Sequence, residues 1–150
     1  MISLQAYTAL IMISFLDFHK TIFDTDGYES ALRKGEADPA DFVYPDAVQA
    51  LKSLENNGIV ITSASPKLVE AALKNIPRLT FLSTEGASKA SYLASWPGYY
   101  GQEAVFVDDR PDELASLSSA YPALKCIEIR RDGEEGEGRF KVIHSLSELP

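Results

Sequence analysis

Two short apolar runs in this chain each end in carboxylates. Ile13-Ser14-Phe15-Leu16 leads into Asp17, and Ala104-Val105-Phe106-Val107 leads into the adjacent pair Asp108 and Asp109. Neighbouring acids at the end of a buried strand lose hydration and repel each other, so holding them together without a cation is costly. A bound metal is the economical reading. Every candidate ligand is an oxygen, and the chain has a single cysteine and no clustered imidazoles, so Mg²⁺ is favoured over softer metals. Three residues after Asp17 carry polar groups, His19, Lys20 and Thr21, and Ile59-Val60-Ile61 runs into the hydroxyls of Thr62 and Ser63. Lys89 supplies a cation between the two acidic segments. Taken singly, an Asp at a strand end, a serine or a lysine is ordinary. Their order along the chain is not.

Ile13 to Asp24, with Asp17, Thr21 and the apolar Ile22-Phe23, resembles the first motif of the haloacid dehalogenase (HAD) superfamily, an apolar strand followed by Asp-x-Asp-Gly-Thr. Glu103 to Asp112 resembles its fourth motif. Ile59 to Pro66 resembles the second, and Lys89 the lysine of the third. The resemblance runs in the required order from Ile11 to Leu146. It implies that Asp17 is a nucleophile and a metal ligand, with the His19 backbone carbonyl, Asp108 and Asp109 completing the protein's share of a Mg²⁺ site. It further implies that Thr21 steadies the turn and Lys89 balances negative charge. Ser63 is the favoured phosphoryl-binding hydroxyl, with Thr62 the close alternative, and Lys20, Thr21, Thr62 and Ala64 lie where substrate would bind. Phosphoryl transfer needs an in-line nucleophile, a cation and further positive or hydrogen-bonding groups around the equatorial oxygens. Asp17, Mg²⁺, Lys89 and Ser63 meet those needs.

The pattern departs from the superfamily at two positions. His19 stands where phosphatases carry a second Asp, which protonates the leaving group and later activates water, and Lys20 stands where a Gly is usual. Imidazole exchanges protons near neutral pH, so one reading gives His19 the acid/base role, although Mg²⁺ and Lys20 disfavour its charged form. The other reading leaves His19 only its carbonyl on the metal and makes hydrolysis slow. The resemblance therefore implies a Mg²⁺-dependent phosphatase working through an aspartyl-phosphate, or alternatively a catalytically weak protein of the same fold that binds a phosphorylated ligand or a protein partner. A dehalogenase is disfavoured by the acidic pair. A receiver-like domain is disfavoured because Asp108 and Asp109 follow Asp17 instead of preceding it.

Positioning these groups requires several strands that end on one side. Apolar runs Ile11–Leu16, Ile59–Ile61, Leu79–Leu82, Ala104–Val107 and Leu124–Ile129 are short enough for strands buried on both faces. Helical spacing fills the intervals. Asp46–Asn57 places Val48, Leu51 and Leu54 on one side and stops at Asn57-Gly58; a second helix starts at Ser65-Pro66. Further helices begin near Ser88, with Tyr92 and Leu93 inward, and near Pro111, with Leu114 and Leu117 inward. Alternation of this kind predicts a Rossmann-like three-layer α/β/α sandwich around a parallel sheet, with the site at the C-terminal strand ends.

The 150 residues, 45% of them hydrophobic, suit one domain spanning 1–150 without a large cap. Phe23 to Tyr44 breaks the rhythm and has room only for a short flap or minimal helical cap, which implies an open site. Asp132 to Gly138 offers nothing to bury and reads as an exposed loop. A formal charge of −8 disfavours nucleic acid and anionic membranes as partners. A phosphorylated small molecule or a phosphoprotein fits better, and self-association is another way to close an open site. One cysteine, Cys126 in an apolar strand, fits a reducing cytoplasm. Met1 to Leu16 has no basic n-region and reads as a lead-in and core strand, not a signal peptide or membrane span.

Overall fold

The computed structural model describes residues 12–76, 78–95, 99 and 103–150. Its strands β1 (Ile13–Leu16), β2 (Gly58–Thr62), β3 (Thr80–Ser83), β4 (Ala104–Asp108), β5 (Leu124–Ile129) and β6 (Lys141–Ile143) form one sheet in the order β3-β2-β1-β4-β5-β6. Every neighbouring pair is parallel. The central strands β2 and β4 are buried along their whole length, as their uninterrupted apolar runs require.

Successive side chains of a strand point to opposite faces, and the two cores divide accordingly. Leu16, Val60, Val105, Val107 and Ile127 pack with Ala47 and Leu51 of α2 (Pro45–Leu54) and with Val69 and Ala72 of α3 (Pro66–Ala72). Phe15, Ile59, Ile61, Ala104 and Phe106 pack on the other face with Leu93 of α4 (Lys89–Ser95) and with Leu114 and Leu117 of α5 (Pro111–Ala120). This is the expected three-layer sandwich. Proline opens α2, α3 and α5, and the Ser65 hydroxyl caps α3 by accepting from the Leu68 N–H at 3.2 Å.

Some boundaries differ from the sequence reading. The helix expected to run to Asn57 ends at Leu54, and a 3-10 turn, Glu55–Asn57, carries the chain into β2. Gly58 is therefore a strand residue, not a helix stop. Its lack of a side chain matters because a Cβ there would lie 2.9 Å from the Leu54 Cβ. β3 is shifted one residue, to Thr80–Ser83, and Cys126 is only half-buried. The expected lead-in from Met1 to Ile11 lies outside the described residues.

Phe23 to Tyr44 contains the ten-residue helix α1 (Thr25–Lys34) and a 3-10 turn at Pro39–Phe42. The segment is closed at its base by an antiparallel bridge between Phe23 and Val43, and the Asp24 N–H donates to the Phe42 carbonyl at 2.8 Å. No residue of α1 is buried; Tyr28 alone leans on the rings of Phe23 and Phe42. Among the described residues no large cap covers the sheet. Asp132 to Gly138 forms a loop joining the parallel strands β5 and β6, exposed except at half-buried Gly136. Among the described residues no helix is long and apolar enough to cross a membrane.

Candidate active site

Strand order reverses direction between β1 and β4, since the chain builds outward from β1 to β3 and then returns to build from β4 to β6. Such a switch point leaves a crevice beyond the carboxyl ends of the strands, where ligands bind in open α/β sheets. Asp17 follows β1 and Asp108 closes β4. The register pairs Leu16 with Val107, and the Asp17 N–H donates to the Val107 carbonyl at 2.9 Å, so both carboxylates arrive at the same level.

The Lys89 ammonium, at the first turn of α4, lies 2.6 Å from Asp17 Oδ1 and 2.6 Å from Asp108 Oδ2. All three side chains are buried. Asp108 Oδ1 accepts from the Arg110 N–H at 3.0 Å, and the Thr21 hydroxyl donates to Asp17 Oδ2 at 3.4 Å. Half-buried Asp109 supplies the third acid. One oxygen from each of Asp17, Asp108 and Asp109 lies within 4.8 Å of the others.

Three carboxylates against one ammonium leave a formal charge of −2 in a cluster whose Asp17, Asp108 and Lys89 side chains are buried. Burial, with Lys89 only partly opposing it, pushes the Asp17 carboxyl up to about 6; burial and the neighbouring Asp17 do the same to Asp108, also to about 6. Asp109 is raised by burial as well. For Lys89, burial lowers the ammonium's affinity for its proton, but Asp17 and Asp108 outweigh it and the net direction is upward. The lysine is thus firmly charged while the acids are crowded. An all-oxygen donor set with this surplus of negative charge fits a divalent cation such as Mg²⁺.

A carboxyl whose proton is held more tightly in the folded than in the unfolded chain stabilises the fold when protonated. That contribution fades as pH rises from about 4 through about 6, the range between the ordinary and raised values for Asp17 and Asp108. Mg²⁺ competes with those protons. The rise in Tm that Mg²⁺ gives over EDTA is therefore expected to be small at about pH 5 and larger at about pH 7.5. Thermal melts in the four conditions check this, and an equal rise at both pH values would contradict a carboxylate site.

The loop after Asp17 is a tight turn in which the Phe18 carbonyl accepts from the N–H groups of Ile22 and Phe23 at 2.9 and 3.0 Å. Lys20 takes φ +61, the left-handed region that a Cβ disfavours and where the superfamily's pattern has glycine. Replacing it, Lys20→Gly, is expected to stabilise the protein by about 1 kcal/mol while weakening any anionic substrate, because the exposed ammonium is lost. Denaturant unfolding and KM measure the two opposite effects. A loss of stability in the glycine variant would show that the turn is not strained.

His19 is half-buried. Its Nδ1 lies 2.8 Å from the Thr25 hydroxyl at the start of α1, and its ring meets Phe18 edge-on, centroids 5.2 Å apart. Burial lowers its affinity for a proton, with Glu29 opposing and Lys89 and Lys20 reinforcing the effect. Thr62 ends β2 fully buried, and its Oγ1 accepts from the Ala64 N–H at 2.9 Å. The Ala64 carbonyl accepts from the Ser83 hydroxyl at 3.1 Å, so both backbone groups of Ala64 serve the fold. Ser63 is exposed.

Two contributors escape a sequence reading. Thr25 is one. Arg131 is the other: it donates to Asp46 Oδ1 at 2.9 Å and to the Thr21 carbonyl, and its guanidinium lies 3.9 Å from the centre of the Tyr44 ring. It thereby bolts the turn after Asp17 to the start of α2. Its position just past the C-terminal end of a parallel strand was the available signal. Beside these residues a polar cavity of about 300 Å³ is lined by Lys20, Asp109, Tyr44, Arg130 and Asp132 among others. A larger cavity, about 540 Å³, lies between α2 and the C-terminal 3-10 turn; it includes none of Asp17, Lys89 and Asp108, so it is not where the chemistry sits.

No protein-family model matches the chain, and no curated protein matches it significantly. Solved structures do. A dehalogenase is 15% identical over 92% of this chain and 95% of its own, with a TM-score of 0.67. D,D-heptose 1,7-bisphosphate phosphatase from B. bronchiseptica, crystallised with magnesium and phosphate, is 13% identical over 91% and 94%, with a TM-score of 0.56. The HAD domain of an effector protein from Legionella pneumophila is 15% identical over 87% and 88%, with a TM-score of 0.55. The chain therefore has the fold of the haloacid dehalogenase superfamily, the fold that its four motif-like segments imply.

Proposed function

We propose that this protein is a Mg²⁺-dependent hydrolase of the HAD type that removes a phosphoryl group through an aspartyl-phosphate on Asp17. The observation that carries the reading is the buried cluster of Asp17, Lys89, Asp108 and Asp109 at the switch point of the sheet. Asp17, Asp108, Asp109 and the His19 carbonyl would hold Mg²⁺, which when bound supplies positive charge to the phosphoryl oxygens. The protein's own groups do the rest. An Asp17 oxygen attacks phosphorus, and the bond from phosphorus to the leaving oxygen breaks. Lys89 keeps Asp17 aligned by its 2.6 Å contact and spreads charge. Thr62 is the better phosphoryl-binding hydroxyl of the two candidates, because the Ala64 N–H fixes its oxygen and leaves its own proton to donate. This reverses the preference for Ser63 drawn from the position of Pro66.

His19 is the group that protonates the leaving oxygen and then takes a proton from water as the water attacks phosphorus and frees Asp17. The polar lining beside Asp109 and Lys20 suits a hydrophilic leaving group in an open site. A second reading, a weakly catalytic protein that binds a phosphorylated ligand, is favoured by one feature: the lowered proton affinity of His19 limits the fraction able to act as an acid. Comparing wild type, His19→Ala and His19→Asp on alkyl esters and on p-nitrophenyl phosphate separates the two. For an acid/base His19, the alanine variant should lose about 10²-fold or more on alkyl esters and less on p-nitrophenyl phosphate, whose leaving anion needs no proton, while His19→Asp recovers activity. Equal rates for all three proteins would exclude proton transfer at position 19. Negligible turnover by all three, with Mg²⁺ and phosphate analogues still bound, would establish the binding protein.

A further inference from the structure

The turn after Asp17 is held by a side chain from the other half of the sheet. Thr21 is fully buried, and its carbonyl accepts from Nη2 of Arg131, a residue 110 positions further on and just past the end of β5. β4 stands between β1 and β5, so the arginine reaches past a strand to make the contact. Among the described residues no backbone N–H reaches that carbonyl. The next peptide is fixed as well, since the Ile22 carbonyl accepts from the Tyr44 N–H at 2.9 Å, and the guanidinium lies 3.9 Å from the centre of the Tyr44 ring. Asp46 orients the arginine in turn. Its Oδ1 accepts from Nη1 at 2.9 Å and its Oδ2 from the Leu146 N–H at 2.8 Å. Burial pushes the Asp46 carboxyl up, but these hydrogen bonds outweigh it and the net direction is downward, so the anion that aims the arginine is present at neutral pH.

We infer that Arg131 and Asp46 form one positioning unit for the nucleophile: Asp46 holds Arg131, Arg131 holds the Thr21 carbonyl, and the Thr21 hydroxyl donates to Asp17 Oδ2 at 3.4 Å. The catalytic meaning of the unit rests on the hydrolase proposed above, whereas the coupling itself does not. Arg131 also lines the polar cavity beside Asp109, so direct binding of the leaving group is the competing role. Its contacts oppose that role. Nη1 and Nη2 are committed to Asp46 and Thr21, Nε is buried, the guanidinium lies over the Tyr44 ring, and the side chain is only 15% exposed. Removing the guanidinium leaves a buried carbonyl without a partner, which is costly for a peptide group shut off from water. The relief open to it is rotation of the peptide between Thr21 and Ile22, and that moves the residue whose hydroxyl touches Asp17. A misplacement of about 1 Å at a reacting group can cost about 10²-fold in rate.

Steady-state kinetics of the full chain on p-nitrophenyl phosphate, with saturating Mg²⁺ and well below the lowest Tm of the set, test the unit through Asp46, which does not line that cavity. Arg131→Met and Asp46→Ala should each lower kcat by about tenfold or more while KM changes less than about threefold. Asp46→Asn, which keeps an acceptor but not the charge, should lose less, and in the same parameter. The double variant Arg131→Met, Asp46→Ala should fall no further than Arg131→Met alone, as members of one unit do. A rise in KM at unchanged kcat would make Arg131 a substrate contact. Losses that multiply in the double variant would separate the two residues, and a lower Tm with kcat intact would leave them a purely structural role. Any of these three results overturns the inference.

Amide hydrogen exchange reads the coupling without any turnover. The Ile22 and Phe23 N–H groups donate to the Phe18 carbonyl inside the turn. In Arg131→Met and in Asp46→Ala they should exchange about tenfold or more faster relative to the amides of β4, a local loosening distinct from global unfolding. Equal protection of the turn in wild type and both variants overturns the inference. Absence of hydrolysis by the wild type, alongside the expected loosening, would defeat the phosphatase reading and leave the link between Arg131 and the nucleophile turn standing.

Discussion

Asp17→Asn is expected to reduce phosphate-ester hydrolysis by about 10⁴-fold or more, the scale on which loss of a covalent nucleophile is felt. Three effects act in the same direction. An amide oxygen does not displace an alkoxide from phosphorus. It also removes one of three carboxylates from the cluster that fits Mg²⁺, and it exchanges the 2.6 Å charged contact with Lys89 for a neutral one. Stability should move much less, because Asp17 is an acid held up to about 6 by burial and its replacement relieves crowding with Asp108 and Asp109. Kinetics and denaturant unfolding of the same preparation separate lost chemistry from lost fold. Turnover surviving within about tenfold of wild type would remove Asp17 from the mechanism.

Lys89→Met is expected to damage both. The ammonium touches Asp17 and Asp108 at 2.6 Å each, and the side chains of this trio are at most 8% exposed. Removing the only cation that pairs with them in the described structure leaves buried carboxylates uncompensated, a change that costs about 3–5 kcal/mol when both partners are well buried. The loss has a pH signature. Below about 6, Asp17 and Asp108 take up protons and no longer need the lysine, so the destabilisation should be smaller at about pH 5 than at about pH 7.5. Added Mg²⁺ should recover part of the stability at the higher pH. It should not recover turnover, which also loses a charge near the phosphoryl oxygens, worth about 10²–10³-fold. Urea unfolding in EDTA at the two pH values measures the first effect. A pH-independent loss would indicate a packing role for the lysine stem, and full activity would take Lys89 out of the site.

The sheet and the acidic end of the site were legible in the sequence because their signals are local. An apolar run ended by Asp108 and Asp109 announces a buried strand and a crowded pair of acids within a few residues, and β4 closes where the run does. Lys89 was readable through its order between the second and fourth segments, although nothing local shows that its ammonium bridges two carboxylates. Helix α1 was legible only as room for a short flap or minimal helical cap, and its bounds were not, because it buries none of its residues against the core. Thr62 and Ser63 could be ranked only by the position of Pro66, which favoured Ser63, because adjacent residues at a strand end differ in burial only once the following turn is known. Arg131 acts across the fold, reaching Thr21 and Asp46 far away in sequence, and a contact of that kind has no periodicity; Thr25 reaches only six residues back, to His19, through a turn whose shape the sequence does not display. The Asn57-Gly58 pair misled because a glycine that admits Leu54 looks the same in sequence as a glycine that stops a helix.

The most direct test of the central claim is mass spectrometry of the protein quenched in acid during turnover of a phosphate ester with Mg²⁺. A phosphoryl group on the peptide containing Asp17, present in wild type and absent in Asp17→Asn, is the expected result. Steady hydrolysis by a wild-type protein that never carries phosphate on Asp17, or carries it elsewhere, would contradict it.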